Sequence, residues 1–423
     1  MSADLEPHSA GSERRRGFVA LSALISADSI SQFGSVMTLT AIPWFVLVTT
    51  GSVSRTGVTV FASGVALVIA LLFGGTVVDR VGWRRASIMG DLTAGCLVAA
   101  IPAAYDTVGL PFWLLVALVS LATLFDIPSR VGRYSALPDL ADGANVRFER
   151  ANAIFDSTLT GAGLIGPAVA GVLIAVVGTS NVIWIDAATF GASAILMTSL
   201  VPRSVRRTSS VSTRSGLMSQ LGEAIRFVVR DDVLGPLVLV LGLMNVAIGS
   251  MEQIVIPVMS RDVYHSAYVL GLLTSAMALG GLGGNVVYGI IGHRMSRRGG
   301  FGLGFLTVPV ALAVLALQPV VGVSLVMLAI VGLGLSLTNL LEYTVYFERL
   351  PHDMRARGLG ITGALTWGSA PLGRIACGFG IAALGIAATL TGAALLILPV
   401  PLALLALPRF SRLNVTPVDE STT

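Results

Sequence analysis

Long, unbroken apolar stretches dominate this sequence. Each has about 20 residues, which as a helix spans the ~30 Å hydrocarbon core of a bilayer. The stretches are continuous and do not alternate between polar and apolar residues, so transmembrane β-strands are excluded. The sequence therefore predicts an all-α membrane protein. Twelve stretches are predicted to be helices, at residues 18–48, 57–78, 86–105, 111–128, 153–177, 182–201, 235–259, 268–292, 301–318, 321–346, 359–382 and 386–407.

Charged residues are too few to cover a water-soluble globule of this size. Only 12% of the 423 residues are charged, whereas soluble domains have about a quarter. All 27 basic residues are arginine, so no lysine is available for a phosphate-binding P-loop. ATP hydrolysis of that kind is excluded, and a gradient would have to drive any transport.

The arginines are distributed unevenly among the loops. With the N-terminus placed in the cytoplasm, 24 of the 27 arginines fall in cytoplasmic segments. Only Arg55 and Arg261 fall outside, and Arg374 lies within a predicted helix. This bias is what the positive-inside rule requires, so both termini are expected in the cytoplasm. The first apolar run is too long for a signal peptide and is expected to remain as the first helix.

The two halves of the sequence align at an offset of 214 residues. Five residues coincide with identical partners: Pro43 with Pro257, Gly57 with Gly271, Gly75 with Gly289, Arg80 with Arg294, and Arg84 with Arg298. The repeat predicts two pseudo-symmetric six-helix bundles, with the substrate site at their interface near the bilayer midplane. We expect tails at 1–17 and 408–423, bundles at 18–201 and 235–407, and between them a cytoplasmic linker with a surface helix at 202–234.

The loop between predicted helices 2 and 3 is rich in glycine and charge. Its motif consists of Gly75, Asp79, Arg80, Gly82, Arg84 and Arg85. Gly82 permits a tight turn, and Asp79 can interact with the positive N-terminus of a neighbouring helix. In predicted helix 4, Asp126 and Arg130 are one turn apart and can pair locally.

Predicted helix 5 has a small-residue pattern of its own. Gly161, Gly163, Gly166 and Gly171 are spaced so that another helix backbone can pack closely against them. Pro167 is expected to bend the helix.

The motif G-x-x-x-D-R-x-G-x-R-R between predicted helices 2 and 3 resembles the signature loop of the major facilitator superfamily, and the likeness covers nearly the whole chain. The superfamily usually has arginine where this chain has Trp83. The resemblance implies that Arg80 or Arg84 contacts an acid in helix 4, for which Asp126 is the candidate. The helix-5 pattern looks like that of the superfamily's antiporters, which favours export against a proton gradient.

Shorter phrases narrow the resemblance further. Ala-Leu-Pro-Asp-Leu at 136–140 and Ile-Asp-Ala-Ala-Thr-Phe at 185–190 are similar to the macrolide-efflux and siderophore-exporter branch. Neither phrase identifies the cargo.

Ionisable residues at membrane depth are costly and therefore indicate function. Predicted helix 1 carries a polar stripe of Asp28, Ser31, Gln32, Ser35 and Thr38, which we expect to face an aqueous cavity. At the offset of 214, Asn245 aligns with Ser31 and Glu252 with Thr38, so both are expected to face the same cavity.

Arg374 is interpreted as the one basic residue deep in a helix, and we expect it to pair with Glu252. Asp28 or Glu252 is expected to take up and release a proton during transport; the alternative is a static hydrogen bond or ion pair. Trp367 could stack on a ring of the cargo. Asp186 is expected to cap or anchor helix 6.

These features predict an exporter of a small amphipathic or hydrophobic molecule that works by proton antiport and alternating access in the plasma or inner membrane. An importer or uniporter of a polar metabolite, or a lipid-moving or non-transporting protein of the same fold, remains an alternative. The sequence has no nucleophile–base pair, metal cluster or nucleotide loop, so we expect neither an enzyme nor a cofactor or metal. The expected partners are cargo, protons and lipid, with no nucleic acid and a monomeric chain.

Overall fold

The structure is a computed structural model that describes residues 7–107, 109–202, 217–350 and 355–414. Within these ranges all regular secondary structure is helical. This agrees with the apolar runs, because a bilayer core leaves backbone N–H and C=O groups no partners except one another.

The chain divides into two units, of which the first comprises residues 1–45 and 62–212. In this unit α3 packs against both α4 and α6, and α5 packs against α4 and α6. The helices that form it, wholly or in part, are α1 (Pro7–Thr50), α2 (Val53–Val81), α3 (Trp83–Thr107), α4 (Phe112–Gly143), α5 (Phe148–Val177) and α6 (Thr179–Leu200).

The second unit comprises residues 213–423 together with 46–61, the segment that joins α1 to α2. Its helices are α7 (Leu217–Arg230), α8 (Leu234–Asp262), α9 (Ala267–Ile291), α10 (Arg297–Ala316), α11 (Val321–Arg349), α12 (Arg355–Trp367), α13 (Ala370–Leu384), α14 (Ile386–Ile397) and α15 (Pro399–Ala406). Short 3₁₀ turns occupy Gly292–Arg294 and Pro408–Asn414, and a π-helical turn interrupts α8 at Met251–Val255.

All twelve predicted spans are helical, and in the described ranges eleven helices are long and apolar enough to cross a membrane. The predicted continuous helix at 359–382 is wrong. It is divided between Trp367 and Ala370, where Pro371 lacks the N–H that would continue the backbone ladder.

The predicted end of helix 4 at residue 128 is also wrong. α4 continues to Gly143 with Pro128 and Pro138 inside it. Neighbouring helices can satisfy the carbonyls that a proline leaves unpaired. In the predicted linker, α7 agrees with the helical spacing of its apolar residues, whereas residues 203–215 lie outside the described ranges.

Glycine allows two helices of the second unit to touch through their backbones. A Cβ atom on Gly280 of α9 would collide with the carbonyl oxygen of Ala329 in α11. A Cβ on Gly332 of α11 would collide with the carbonyl oxygen of Met277 in α9. Because backbone atoms cannot rotate away as a side chain can, α9 and α11 approach closely only with glycine at both positions.

We expect Gly332→Ala to lower the free energy of unfolding by about 1–3 kcal/mol, the usual cost of overpacking. Thermal unfolding of the purified protein in detergent measures the effect. Gly283→Ala is the matched control, because a Cβ on Gly283 of α9 would meet no atom within 4 Å. Equal melting temperatures for the two variants would contradict the close contact.

Candidate functional site

A buried ionic cluster lies in the first unit, centred on Arg133 of α4. The Arg133 side chain is fully buried, as are Asp28 of α1 and Asp91 of α3. Arg133 Nε donates to Asp28 Oδ1 at 2.9 Å, and Arg133 Nη1 donates to Asp91 Oδ2 at 2.8 Å and Oδ1 at 2.9 Å. One guanidinium therefore joins carboxylates from two other helices.

Small residues bring α3 and α4 together at this point. A Cβ on Gly90 would lie 2.8 Å from the carbonyl oxygen of Phe125, and a Cβ on Gly132 would lie 2.7 Å from that of Trp83. Ser87 donates to the Ser129 carbonyl at 3.2 Å, and the Ser129 hydroxyl donates to the Ser87 carbonyl at 2.8 Å. These contacts hold α3 and α4 together. Asp91 lies one turn beyond Ser87 on α3, and Arg133 lies one turn beyond Ser129 on α4.

Hydroxyl groups complete the cluster. Asp91 accepts a hydrogen bond from Ser193 of α6 at 2.6 Å, and it shares the single hydroxyl proton of Ser129, 2.5 Å away, with the Ser87 carbonyl. Asp28 accepts one from Thr158 of α5 at 3.1 Å. The cluster thus draws on α1, α3, α4, α5 and α6, and each carboxylate has partners besides the arginine.

The charges of the cluster do not balance. Asp28 and Asp91 share the single positive charge of Arg133, so the cluster carries one excess negative charge when both carboxylates are ionised. The third guanidinium nitrogen, Arg133 Nη2, is buried without a hydrogen-bond partner. Buried charge is stable only when it is compensated, so the excess negative charge of this cluster is costly to bury.

The polar stripe of α1 does not face an aqueous cavity, contrary to the sequence prediction. Asp28 and Ser31 are fully buried and Gln32 is 6% exposed. The Ser31 and Ser35 hydroxyls are buried as well, with no hydrogen-bond partner. The stripe is directed into the packed interior of the first unit because Asp28 is held there by Arg133 and Thr158.

The glycine-rich hairpin forms the expected turn. Gly82 has φ +90°, and its N–H donates to the Val78 carbonyl at 2.9 Å. Gly75, Asp79, Arg80 and Arg85 are exposed.

Arg84 of this hairpin extends to the last turn of α6. It donates to the carbonyl oxygens of Thr198 at 2.9 Å and of Met197 and Val201 at 3.3 Å. A cation is favourable at a helix C-terminus, where carbonyl groups lack intrahelical partners.

Arg298, which aligns with Arg84, has the same role in the second unit. It donates to the carbonyls of Leu404, at 2.8 Å, and Leu405 at the end of α15. Its neighbour Arg297, at the position of Trp83, forms an ion pair with Glu348 at 2.6 Å.

The expected contact of Arg80 or Arg84 with Asp126 is not formed. Asp126 instead has Arg133 and Arg130 as its cationic neighbours, and its Oδ1 atom is buried without a hydrogen-bond partner. Asp126 is therefore close to the ionic cluster. The hairpin residue Arg84 binds carbonyl oxygens at the end of α6 instead of Asp126.

The close helix packing predicted at the glycines of α5 is found at only some of these positions. Gly166 contacts the side chain of Val36 on α1, where an added Cβ would lie 2.8 Å from Cγ1. Gly161 and Gly163 have no atom within 4 Å of an added Cβ. Gly171 and Pro167 are buried, and α5 continues through Pro167.

Glu252 and Arg374 are charged neighbours, as predicted, but they do not form a direct ion pair. Glu252 lies in the π-helical turn of α8 and is exposed. Arg374 of α13 donates from Nη1 to the Val60 carbonyl at 3.4 Å, and its Nε is buried without a hydrogen-bond partner. The π turn precedes Pro257, with the Ile256 N–H bonded to the Met251 carbonyl.

Other predicted residues of the second unit have no partner in the cluster. Asn245 donates to the Leu241 carbonyl of its own helix at 3.0 Å, and Trp367 is 58% exposed at the end of α12. Among the described residues, no three His, Cys, Asp or Glu side chains come together as metal ligands.

Sequence reasoning missed Arg133 and Asp91. Arg133 was assigned to a cytoplasmic loop because helix 4 was ended at Pro128. The signal was the spacing of Asp126, Arg130 and Arg133, which places three ionisable groups on successive turns of one continuous helix.

Solved structures show that the fold is that of a membrane transporter. The nucleoside transporter NupG has a TM-score of 0.71 and 14% identity, covering 92% of this chain and 98% of that chain. A bacterial homologue of the iron transporter ferroportin in an inward-facing state has a TM-score of 0.67 and 14% identity, covering 92% and 98%. At this identity the likeness shows the fold alone.

The family model described as Major Facilitator Superfamily matches residues 24–373, and the chain belongs to this superfamily. The chain is 30% identical over 413 residues to the multidrug efflux pump Tap of Mycobacterium tuberculosis (strain ATCC 25618 / H37Rv), with 96% of each chain covered. It is 27% identical over 355 residues to the enterobactin exporter EntS of Citrobacter koseri, covering 81% of this chain and 79% of the relative.

The resemblance to the efflux and siderophore-exporter branch is thus confirmed. The chain is an integral plasma-membrane transporter of a small molecule and not an enzyme.

We expect Arg133→Met to destabilise the protein by about 3–5 kcal/mol, because it leaves two buried carboxylates without a cation. The loss should be larger at alkaline than at acidic pH, where protonation removes the uncompensated charge. Thermal unfolding in detergent across a pH series measures both effects. The neutral triple variant D28N/D91N/R133M should recover most of the stability, and wild-type melting of Arg133→Met alone would refute the cluster.

Proposed function

We propose that this transporter exports a small hydrophobic or amphipathic molecule by proton antiport with alternating access. The observation that carries the proposal is the 30% identity to a multidrug efflux pump over 96% of both chains. The Asp28–Arg133–Asp91 cluster supplies chemistry suited to proton coupling, since a fully buried carboxyl can exchange a proton only when its surroundings change.

Protonation would act on the cluster through Arg133. When Asp28 binds a proton it loses its charge, and the bond from Arg133 Nε at 2.9 Å loses its ionic character. Arg133 then keeps Asp91 as its charged partner, and the net charge of the cluster falls to zero. A proton can shift a conformational equilibrium only by its different affinity for the two states. Here that difference arises from making or breaking a buried ion pair between α1 and α4.

The orientation proposed for the chain in the membrane rests on the distribution of arginine. The positive-inside bias supports cytoplasmic termini, which would place the hairpin motif and the Arg133 end of α4 toward the cytoplasm. A proton that enters from the outside would have to reach Asp28 along α1, and cargo would leave in the opposite direction.

A siderophore-like molecule is the second candidate cargo. The observation that favours it is the likeness to an enterobactin exporter, at 27% identity. Parallel export assays with ethidium and with enterobactin compare the two classes directly.

We expect Asp28→Asn to lower uncoupler-sensitive ethidium efflux from preloaded cells by at least about tenfold, an effect of ~1.4 kcal/mol on the rate. Asparagine keeps the size of the side chain but cannot exchange a proton. Efflux is followed by ethidium fluorescence with and without a protonophore, at matched expression. Asp142→Asn, at an exposed acid near the end of α4, is the control and should transport normally.

Glu252→Gln tests the other carboxyl that the sequence indicated. Glu252 is exposed and has Arg374 as a neighbour without a direct ion pair, so we expect a smaller loss than for Asp28→Asn. If both variants retained full uncoupler-sensitive efflux, proton coupling through either residue would be refuted. If expression of the wild-type chain changed the retention of neither ethidium nor enterobactin, export of both cargo classes would be refuted.

A further inference from the structure

Asp186 of α6 is a fourth ionisable residue buried in the first unit. Its side chain is only 1% exposed. The Thr189 hydroxyl lies 3.3 Å from Asp186 Oδ1, and the Thr38 hydroxyl of α1 lies beside the same carboxyl, outside ideal hydrogen-bonding geometry. A Cβ on Gly34 of α1 would collide with both Asp186 Oδ1 and Thr189 Oγ1. The carboxyl therefore packs directly against α1, contrary to the predicted capping role.

Among the residues that the structure describes, no cation compensates Asp186. The fully buried charged residues of the described chain are Asp28, Asp91 and Asp186 with Arg133, and Arg133 is already shared by the first two. The charged neighbour that faces Asp186 from α4 is Asp126, an acid. An ionised carboxylate in this position would be buried without compensation, which is costly enough that such a group takes up a proton instead.

Close packing at the carboxyl favours a proton over a metal cation. A sodium ion needs several oxygen ligands around it and space at the centre. The backbone of Gly34 occupies one side of the Asp186 carboxyl and Thr189 another. A proton needs no such space, because it adds to an oxygen already in place.

Buried hydroxyls of α1 lie between this carboxyl and the ionic cluster. Asp28, Ser31, Ser35 and Thr38 recur at helical spacing along one face, over about 15 Å at 1.5 Å per residue. The Ser31 side chain is fully buried, and the hydroxyl oxygens of Ser31 and Ser35 have no hydrogen-bond partner. A hydroxyl both donates and accepts, so these groups can pass a proton once hydrogen bonds form between them. Ser31 and Ser35 lie one helical turn, ~5.4 Å, apart and are not bonded to each other in this conformation, so transfer requires a rearrangement that brings them together.

We propose that the Asp186 carboxyl is a second proton-binding site, connected to Asp28 through the buried hydroxyls of α1. The connection rests on the proposed proton-driven function, whereas proton binding at Asp186 does not. A proton that binds Asp186 converts the carboxylate to the neutral carboxyl. Its release along the hydroxyls leaves the carboxylate behind and protonates Asp28, so charge and atoms balance.

Infrared spectroscopy of the full-length protein in lipid nanodiscs tests proton binding without any cargo. The C=O stretch of a protonated carboxyl is resolved from that of a carboxylate, and it is followed through a pH titration. We expect Asp186→Asn to remove one protonated-carboxyl band and Asp28→Asn to alter a different one. Thr189→Val should shift the frequency of the Asp186 band, because it keeps the carboxyl but removes the hydroxyl that lies 3.3 Å from Asp186 Oδ1. Asp142→Asn should leave the spectrum unchanged.

Two results would overturn proton binding at Asp186. One is a spectrum of Asp186→Asn identical to that of the wild type. The other is conversion of the band to a carboxylate signal when sodium chloride replaces choline chloride at fixed pH, which would identify a sodium site. If Asp186→Asn fails to fold, Thr189→Val takes its place. A protonated-carboxyl band in Thr189→Val at the same frequency as in the wild type would also overturn proton binding at Asp186.

A transport measurement tests the connection to Asp28. In vesicles with an internal pH dye and an imposed pH gradient, we expect the double variant S31A/S35A to keep both infrared bands but to slow ethidium-coupled proton movement. An unchanged rate would refute the hydroxyl connection. Absence of proton movement in the wild type would count against the proposed function and leave the Asp186 bands as an independent result.

Discussion

The first unit is organised around the sharing of one buried guanidinium by two carboxylates. Arg133 joins α4 to α1 and α3, and hydroxyls from α5 and α6 complete the shell. Burying a charge is unfavourable unless nearly all of its hydrogen-bonding capacity is used. The positions of five helices are therefore constrained by this one side chain. Gly90 and Gly132 are part of the same constraint, because a larger residue at either position would separate α3 from α4 and lengthen the Asp91–Arg133 contact.

Most of the fold could be predicted from the sequence, because apolar length and helical geometry determine where a chain crosses a bilayer. The predictions that failed depend on proline. The sequence prediction ends helix 4 at Pro128 and continues the eleventh helix through Pro371, whereas α4 continues past Pro128 and the eleventh span is divided. Whether a proline ends a helix depends on the neighbours that receive its orphaned carbonyls, and no single sequence shows those neighbours.

Only part of the candidate site could be predicted, and the assumed end of helix 4 at Pro128 is again one cause. Asp28 was identified because an acid at membrane depth is conspicuous in any sequence. Its partner Arg133 was not, because an arginine beyond the assumed helix end looks like an ordinary loop residue. The Glu252–Arg374 pair is predicted from depth alone, and the two residues are charged neighbours without a direct ion pair. Depth can be counted along a sequence, but the distance between side chains on two different helices cannot.

The internal repeat shows that the buried charges are not required by the fold. Arg84 and Arg298 bind the end of the last helix in their own units, so the repeat preserves that structural contact. At the same offset of 214, Asp28 corresponds to Gly242 and Asp91 to Phe305, a buried ring stacked on Phe301 at 6.1 Å.

Arg133 corresponds to Tyr346 or Phe347, according to whether the offset there is 213 or 214. The second unit thus has apolar or aromatic residues, or glycine, where the first has an ionic cluster. Replacing a buried ion pair by well-packed apolar side chains is often neutral or stabilising. The first unit therefore retains its charges at no evident benefit to its folding. Together with the excess negative charge of the cluster, this asymmetry supports a role for the charges in coupling rather than in stability.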